Sequence, residues 1–262
     1  MSQITFERVQ RTFSRGGESF LALDDVSFEV GEREFVSIVG PSGCGKTTLM
    51  RMAAGLEFPS AGSVRVGGKE VEEPGPDRAV VFQQFALFPW KTVTENIGFG
   101  LKCKGASREA RARTVARYIE LMGLAGYEQA YPHQLSGGML QRVLIAMAIS
   151  TDADLVVADE PTSALDVTVQ AGILDLLLEI QEKRGVGVLL ITHDLGVARL
   201  MSDRIHVMKD GVFVEGGPVT EVVDHPKHPY TQKLLAAIPE LGSWNDPLIA
   251  RRAQAPKEPV NG

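Results

Sequence analysis

Cysteine is scarce in this sequence, and long apolar runs are absent. The chain has 262 residues and two cysteines, Cys44 and Cys103, too few for a disulfide framework, so we expect a reducing compartment. The longest stretch without Asp, Glu, Lys or Arg, residues 129–141, falls short of the roughly 18 apolar residues that span a bilayer. The opening residues, MSQITFERVQ, lack the apolar segment of a secretory signal. We therefore expect any membrane association to be peripheral.

Positive charge is not in excess either. The chain has 27 Lys and Arg residues and 33 Asp and Glu residues, which gives a net charge of −6. Binding to a phosphate backbone depends on clustered positive charge, so this balance argues against nucleic acid as a partner. Hydrophobic residues make up 44% and charged residues 23%, which is typical of globular proteins and excludes a wholly disordered chain. The length favours one large domain, or a core with an inserted subdomain.

Short apolar runs alternate with longer amphipathic stretches. Four runs are apolar almost throughout, as in parallel strands covered by helices on both faces. These runs are Phe35–Val39, Ala79–Phe82, Leu155–Ala158 and Val188–Ile191. An N-terminal antiparallel β patch is predicted from three segments of partly alternating polarity, Ile4–Val9, Leu21–Val30 and Gly62–Val66. Helices are predicted over Val167–Lys183 and over 107–123. The pattern predicts an α/β fold.

A glycine-rich motif follows the first of the parallel runs. Residues 40–47 read Gly40-Pro41-Ser42-Gly43-Cys44-Gly45-Lys46-Thr47 and fit the phosphate-binding pattern G-x-x-x-x-G-K-[ST]. A helical stretch, Thr48–Ala54, follows it. The glycines let backbone N–H groups turn toward phosphate oxygens, and the helix N-terminus adds positive charge. Lys46 can reach the β- and γ-phosphates, and Thr47 can place its hydroxyl on Mg²⁺. We interpret Cys44 as a small residue beside the nucleotide rather than as a redox thiol.

Two acidic residues follow the apolar run Leu155–Ala158. Asp159 and Glu160 are therefore expected at the carboxyl edge of the sheet, where open α/β sheets bind ligands. Asp159 suits a direct or water-mediated contact with Mg²⁺. Glu160 is placed to orient or deprotonate an attacking water. Together with the phosphate loop, the pair indicates nucleoside triphosphate hydrolysis.

The order of further motifs resembles the ATP-binding-cassette (ABC) ATPases. Leu135-Ser136-Gly137-Gly138 resembles their signature motif, and Gln83 resembles their Q-loop glutamine. Ser163-Ala164-Leu165-Asp166 resembles the D-loop, and Thr192-His193-Asp194 the switch histidine. Phe13 resembles the aromatic residue that stacks on adenine. The resemblance covers about residues 3–240.

That resemblance implies a P-loop NTPase fold with a RecA-like parallel core, at about 3–90 and 152–240, and a helical subdomain at about 91–151. Residues 241–262 would form a C-terminal tail. It also implies ATP and Mg²⁺, with two subunits head to tail around two nucleotides. The implied catalytic residues are Glu160, His193, Gln83 and Lys46, and the implied metal ligands are Thr47, Gln83 and Asp159. The implied nucleotide contacts are Phe13, residues 40–47, Thr48, Ser136, Gly137 and Gly138.

One position departs from the family pattern. Met139 stands where the family usually has glutamine after the signature, so a side-chain hydrogen bond near the nucleotide or across the dimer would be lost. We expect closure of the dimer to be weaker by about 0.5–1.5 kcal/mol if such a bond normally forms.

The resemblance further implies integral membrane permease subunits as partners, a solute-binding protein indirectly, and a location at the cytoplasmic face of the membrane. The segment from Phe85 to Trp90 either docks such a partner or packs inside the helical subdomain. Residues 74–78 and 86–90 resemble importers of nitrate, sulfonate and taurine type. Residues 160–170 and 228–231 resemble dipeptide and oligopeptide importers. The alternatives are an ABC ATPase without a membrane partner, as in iron–sulfur assembly or repair, and a P-loop kinase.

Overall fold

A computed structural model describes residues 2–83, 86–163, 165 and 167–237. The strands, in chain order, are β1 (Ser2–Arg15), β2 (Glu18–Gly31), β3 (Phe35–Val39), β4 (Ala61–Val66), β5 (Lys69–Glu70), β6 (Arg78–Val81), β7 (Leu155–Asp159), β8 (Gly187–Thr192), β9 (Arg204–Lys209) and β10 (Val212–Pro218). The helices are α1 (Lys46–Ala54), α2 (Val93–Ile97), α3 (Phe99–Cys103), α4 (Arg108–Leu121), α5 (Gly137–Ile149), α6 (Val167–Arg184), α7 (Leu195–Met201), α8 (Val219–Asp224) and α9 (Pro229–Ala236). A short 3₁₀ turn spans Pro132–Gln134.

Two sheets form the framework. The first is antiparallel, with strand order β2-β1-β4-β5, and the second has the order β10-β9-β3-β8-β7-β6. In the second sheet β9, β3, β8, β7 and β6 pair in parallel, and β10 is antiparallel at one edge. The predicted α/β fold, with a parallel sheet and an N-terminal antiparallel patch, is confirmed.

The parallel strands are apolar because both of their faces are covered. Every residue of β3, β7 and β8 is buried. One core cluster lies on the side of α5 and α6, a second lies between the two sheets and α1, and a third joins β3 and β9 to α7 and α8. Burial on both faces removes the polar alternation that a half-exposed strand would show.

The elements that the sequence predicted mostly differ from the observed ones at their ends, whereas β9, β10 and α7 to α9 were not predicted. Strands β1 and β2 each extend beyond the predicted segments, because their ends are polar and exposed and carry no apolar signal. Helix α1 begins at Lys46, two residues before the predicted Thr48. The helix predicted over 107–123 spans Arg108–Leu121, and Ser107 caps its start.

Four helices, α2 to α5, lie between β6 and β7 in the chain. They occupy the interval predicted for a helical subdomain, whose bounds stay a prediction. The predicted tail, residues 241–262, lies outside the described residues. Within the described ranges, no helix is both long enough and apolar enough to cross a bilayer.

Candidate active site

Three neighbouring strands bring the predicted residues to one edge of the parallel sheet. Val39 at the end of β3 is opposite Thr192 at the end of β8, and Asp159 at the end of β7 is opposite Ile191. The glycine-rich loop, the acidic pair and His193 follow these strand ends directly. Parallel pairing thus converts three distant motifs into one cluster.

The glycine-rich loop curls around its own lysine. The buried Lys46 Nζ donates to the carbonyl oxygens of Gly40 at 2.7 Å and Pro41 at 2.8 Å. At Gly40 a Cβ would lie 2.2 Å from the carbonyl oxygen of Met208, so no larger residue fits. Gly45 has φ of 111°, a left-handed conformation that side chains disfavour. The loop therefore needs glycine at both positions.

Helix α1 starts at this loop with no side-chain cap. Its N-cap is Gly45, and its first turn holds no acidic residue. The N–H groups and the positive end of the helix dipole are consequently available to an anion. The thiol of Cys44 is buried beneath the loop, and burial raises its pKa. A protonated thiol suits the interpretation of Cys44 as a packing residue.

Asp159 and Thr47 meet at the strand edge. The Thr47 side chain lies close enough to the buried Asp159 carboxylate to favour its charged form. Burial raises the pKa of Asp159, and the neighbouring charge of Glu160 raises it further. A cation bound here would oppose both effects. The pair supplies two hard oxygen donors, the kind that Mg²⁺ prefers.

Glu160 is held by two side chains that follow other strands, β6 and β8. Gln83 Nε2 donates to one carboxylate oxygen at 3.2 Å, and His193 Nδ1 lies 3.2 Å from the other. The backbone N–H of Glu160 donates to the Ile191 carbonyl oxygen at 2.8 Å. Its φ of 45° is left-handed, a strained conformation for a side-chain-bearing residue. Two side-chain contacts thus orient this carboxylate, and the backbone bond positions the residue that carries it.

The signature residues form the start of another helix. Ser136 is the N-cap of α5, and its hydroxyl accepts a hydrogen bond from the Met139 N–H at 3.4 Å. Gly138 packs against α6, where a Cβ would lie 2.4 Å from Val169 Cγ1. Within the part of the chain that the structure describes, no hydrogen bond or ion pair joins residues 136–138 to the glycine-rich loop. The described part of one chain thus leaves these two groups without a direct polar bond between them.

Met139 and the D-loop were singled out by sequence. Met139 is half-buried and packs against the core on the side of α5 and α6. In the D-loop, Ser163 Oγ donates to the Glu160 carbonyl oxygen at 3.1 Å. Ala164 and Asp166 lie outside the described residues, as does Phe85 of the predicted docking segment.

Phe13 lies on β1 with a partner that sequence reasoning missed. The Arg11 guanidinium carbon lies 4.5 Å from the centre of the half-buried Phe13 ring, and Arg11 is paired with Glu57 at 2.6 Å. Residues two apart on a strand share a face, so the Arg11–Phe13 spacing could have revealed this contact. The Glu57 partner is 46 residues away and could not have been found that way.

The docking segment divides between exposure and packing. Trp90 is 71% exposed, whereas Phe88 is half-buried with its ring centre 4.5 Å from that of Phe99. Leu87 packs against the core. Leu87 and Phe88 thus pack within the chain, whereas docking through Trp90 stays a prediction.

Two family models match the sequence. The model described as "ABC transporter" matches residues 23–163, and "Oligopeptide/dipeptide transporter, C-terminal region" matches residues 214–262. The second match agrees with the resemblance of residues 228–231 to peptide importers.

Individual relatives and structures agree. An ABC transporter ATP-binding protein of Methanocaldococcus jannaschii is 45% identical over 206 residues, 79% of this chain and 77% of that protein. The methionine import ATP-binding protein MetN of Geobacillus kaustophilus is 41% identical over 245 residues, 90% of this chain and 72% of that protein. The bicarbonate transport protein CmpC of Synechococcus elongatus is 40% identical over 222 residues, but this chain spans only 34% of its length.

A solved dimeric ATP-binding cassette, in a post-hydrolysis state bound to ADP and Pi, superposes with a TM-score of 0.76. It is 34% identical, and the match covers 82% of this chain and 98% of that one. The fold, the phosphate-loop edge and these relatives lead to one conclusion: the chain belongs to the ABC transporter family, as an ATP-binding ATPase subunit of importer type.

Proposed function

We propose that this chain hydrolyses MgATP in a head-to-tail dimer and thereby drives solute uptake through separate integral membrane subunits. One observation carries the proposal: the Glu160 carboxylate is held between Gln83 and His193 at the sheet edge that also bears the glycine-rich loop. A fixed carboxylate beside a phosphate cradle is what activation of an attacking water requires.

The phosphate groups of ATP would lie in the cradle of residues 40–48. Lys46 Nζ would exchange its bonds to the Gly40 and Pro41 carbonyl oxygens for bonds to β- and γ-phosphate oxygens. The backbone N–H groups from Ser42 to Thr48 would surround the remaining oxygens. Phe13 would stack on the base, with Arg11 covering part of its ring.

The metal-site residues fit Mg²⁺. Thr47 and Asp159 offer oxygen donors close together, and Gln83, which is bonded to the adjacent Glu160, would add an amide oxygen. Among the described residues no group of three His, Cys, Asp or Glu side chains forms a metal site, which suits an ion held largely by phosphate and water. When bound, Mg²⁺ would offset charge on the phosphate oxygens.

Glu160 would act as the general base. It would accept a proton from a water that attacks the γ-phosphorus in line, as the bond from phosphorus to the bridging oxygen breaks and ADP and phosphate form. Gln83 and His193 would keep the carboxylate directed at that water, and His193 would contact the γ-phosphate. Phosphoryl transfer depends mostly on such positioning.

The second subunit would complete each site. The N-terminus of α5 lacks acidic residues in its first turn, so its N–H groups suit the γ-phosphate of ATP held by the other chain. The solved dimeric cassette, bound to ADP and Pi, supports this arrangement. A swing from about 1:99 to 99:1 between open and closed states needs roughly 5.5 kcal/mol, and several charge-assisted hydrogen bonds at two sites can supply it.

The cargo would be a small organic or oxyanion solute or a peptide. Two relatives are named for bicarbonate transport and methionine import, and the C-terminal model is named for oligopeptides and dipeptides. A solute-binding protein would deliver the cargo to the permease. The chain would sit at the cytoplasmic face of the membrane, with the exposed Trp90 contacting a permease helix.

Glu160→Gln tests the catalytic assignment. Phosphate release should fall by about 10²–10⁴-fold because the amide cannot accept a proton, while ATP still binds. Glu182→Gln, an exposed acidic position on α6, is the matched control and should retain the parental rate. Parental phosphate release by the Glu160 variant would refute the general-base role.

Copurification tests the membrane partner. Trp90→Ser should reduce recovery of an integral membrane protein from detergent extracts, because the indole is 71% exposed. Phe20→Ser, at a ring that is 62% exposed on the antiparallel sheet, should not. Equal loss with both variants, or no membrane protein with the parental chain, would contradict the proposed docking.

A further inference from the structure

Helices α5 and α6 touch near both of their ends. Near their N-termini, Gly138 of α5 packs against Val169 of α6, where even a Cβ would overlap Val169 Cγ1. Near their C-termini, Arg184 at the end of α6 reaches the last turn of α5. The two helices also share the core through Val143, Ile145, Ile173 and Leu177.

The C-terminal contact is a hydrogen-bonded cluster. Arg184 Nη1 donates to the Ile149 carbonyl oxygen and to Tyr118 Oη, the latter at 2.6 Å, and Tyr118 Oη donates to the same carbonyl at 3.1 Å. Arg184 Nη2 donates to Asp152 Oδ1. The cluster therefore closes the end of α5, whose last carbonyl groups lack partners within the helix, with a cation that suits the helix dipole.

The Tyr118 and Arg184 side chains are fixed firmly enough to hold α5 in place relative to the helices that carry them. The Tyr118 side chain is buried, and the Arg184 side chain is 20% exposed. Tyr118 lies on α4 and is bonded to Arg184 as well as to the Ile149 carbonyl oxygen. Sliding of α5 along α6 would break the Arg184–Ile149 hydrogen bond, and also the Tyr118–Ile149 bond because Arg184 ties α4 to α6. The guanidinium geometry makes this contact directional, which an ammonium group would not reproduce.

The opposite ends of these helices carry the residues of the proposed dimer face. Helix α5 begins after Ser136, and α6 begins after the D-loop, whose Leu165 lies 3.5 Å from where a Gly137 Cβ would be. We propose that Arg184 and Tyr118 are positioning residues that clamp α5 to α6, so that the signature motif and the D-loop move as one unit when the dimer closes. This inference rests on the proposed function.

Arg184→Met tests the clamp, because it keeps an unbranched side chain and removes the donors. ATP binding to the glycine-rich loop of the full-length chain, measured by fluorescence of a labelled nucleotide, should stay within about twofold of parental. The protein concentration at half-maximal specific ATPase activity should rise by about three- to tenfold, a range typical of mutations that alter coupling. Lys183→Met, at a 68% exposed neighbour paired with Glu179, should change neither quantity.

Two further variants separate positioning from folding. Tyr118→Phe keeps the buried ring and should also raise the protein concentration at half-maximal ATPase activity, by a smaller factor. This variant tests the clamp if Arg184→Met fails to fold. Arg184→Lys should raise the concentration at half-maximal activity by less than Arg184→Met does, because the ammonium group replaces only some of the donors. If the folded variants melt at a lower temperature but their ATPase activity depends on protein concentration as in the parental chain, the clamp is overturned. A parental activity that is independent of protein concentration would instead overturn the proposed dimer.

Discussion

His206 on β9 is buried between aromatic rings. Its ring stacks 4.7 Å from Phe213 and lies 5.5 Å from Phe28, and its Nε2 has no hydrogen-bond partner among the described residues. Burial, and secondarily the charge of Arg204, lowers the pKa of His206 from 6.5 to about 4. The neutral ring is therefore the form that the fold accommodates.

That shift makes stability depend on pH. Since the folded pKa lies below the unfolded one, the neutral ring's contribution is fully present above pH 6.5 and is lost as the pH falls toward 4. Between pH 7 and pH 5 the loss should be about 2 kcal/mol.

Urea unfolding at the two pH values, compared with His206→Leu, measures this contribution. The variant should lose about 2 kcal/mol less than the parental chain over the same interval, because leucine does not titrate. Identical losses in the two proteins would show that His206 titrates normally in the folded state.

At the residue scale, the sequence predicted which residues lie at the candidate site better than it predicted the contacts between them. The motifs placed Gln83, Glu160 and His193 at one edge, because parallel strands align their carboxyl ends. Nothing in the sequence showed that Gln83 and His193 both contact the Glu160 carboxylate, or that the Glu160 backbone would be left-handed. Such contacts depend on strand register, which only tertiary pairing fixes.

The packing of α5 on α6 leads to a prediction at the element scale. In Gly138→Ala the new methyl would overlap Val169 Cγ1, at 2.4 Å, and overpacking of this kind costs about 1–3 kcal/mol. Better helix propensity returns up to about 1 kcal/mol. We expect a net loss in unfolding free energy of about 1 kcal/mol.

Val169→Ala supplies the matched background. Without its Cγ atoms, the nearest Val169 atom to the new methyl is Cβ at 3.6 Å, an ordinary contact. Gly138→Ala should then be neutral or stabilising, as a double-mutant cycle of chemical unfolding would reveal. The same loss in both backgrounds would show that the Gly138 methyl meets some other obstacle.

The bounds of strands and helices were predicted best where the sequence has a continuous run of apolar residues. Strand β3 was predicted with its observed bounds, because it is buried on both faces and ends at a glycine. The ends of β1 and β2 were not, because exposed pairing leaves no hydrophobic pattern. The Arg184 clamp joins residues up to 66 positions apart and has no local sequence signal.

At the scale of the whole molecule, the two halves of the proposed nucleotide site lie on different elements of the chain. The glycine-rich loop and Glu160 lie at one sheet edge, whereas Ser136 begins a helix that contacts the D-loop side of α6. The family resemblance implied this separation, and the comparisons support the family. Neither composition nor periodicity could have indicated a second subunit, because in the proposed dimer the complementary surface would belong to another chain.

The specific ATPase activity of the full-length chain, measured across protein concentration, tests the central claim most directly. If two chains complete each site, the activity per chain should rise with concentration and level off as dimers form, in step with the mass seen by sedimentation in ATP. An activity per chain that stays constant down to concentrations where only monomers sediment would contradict the account.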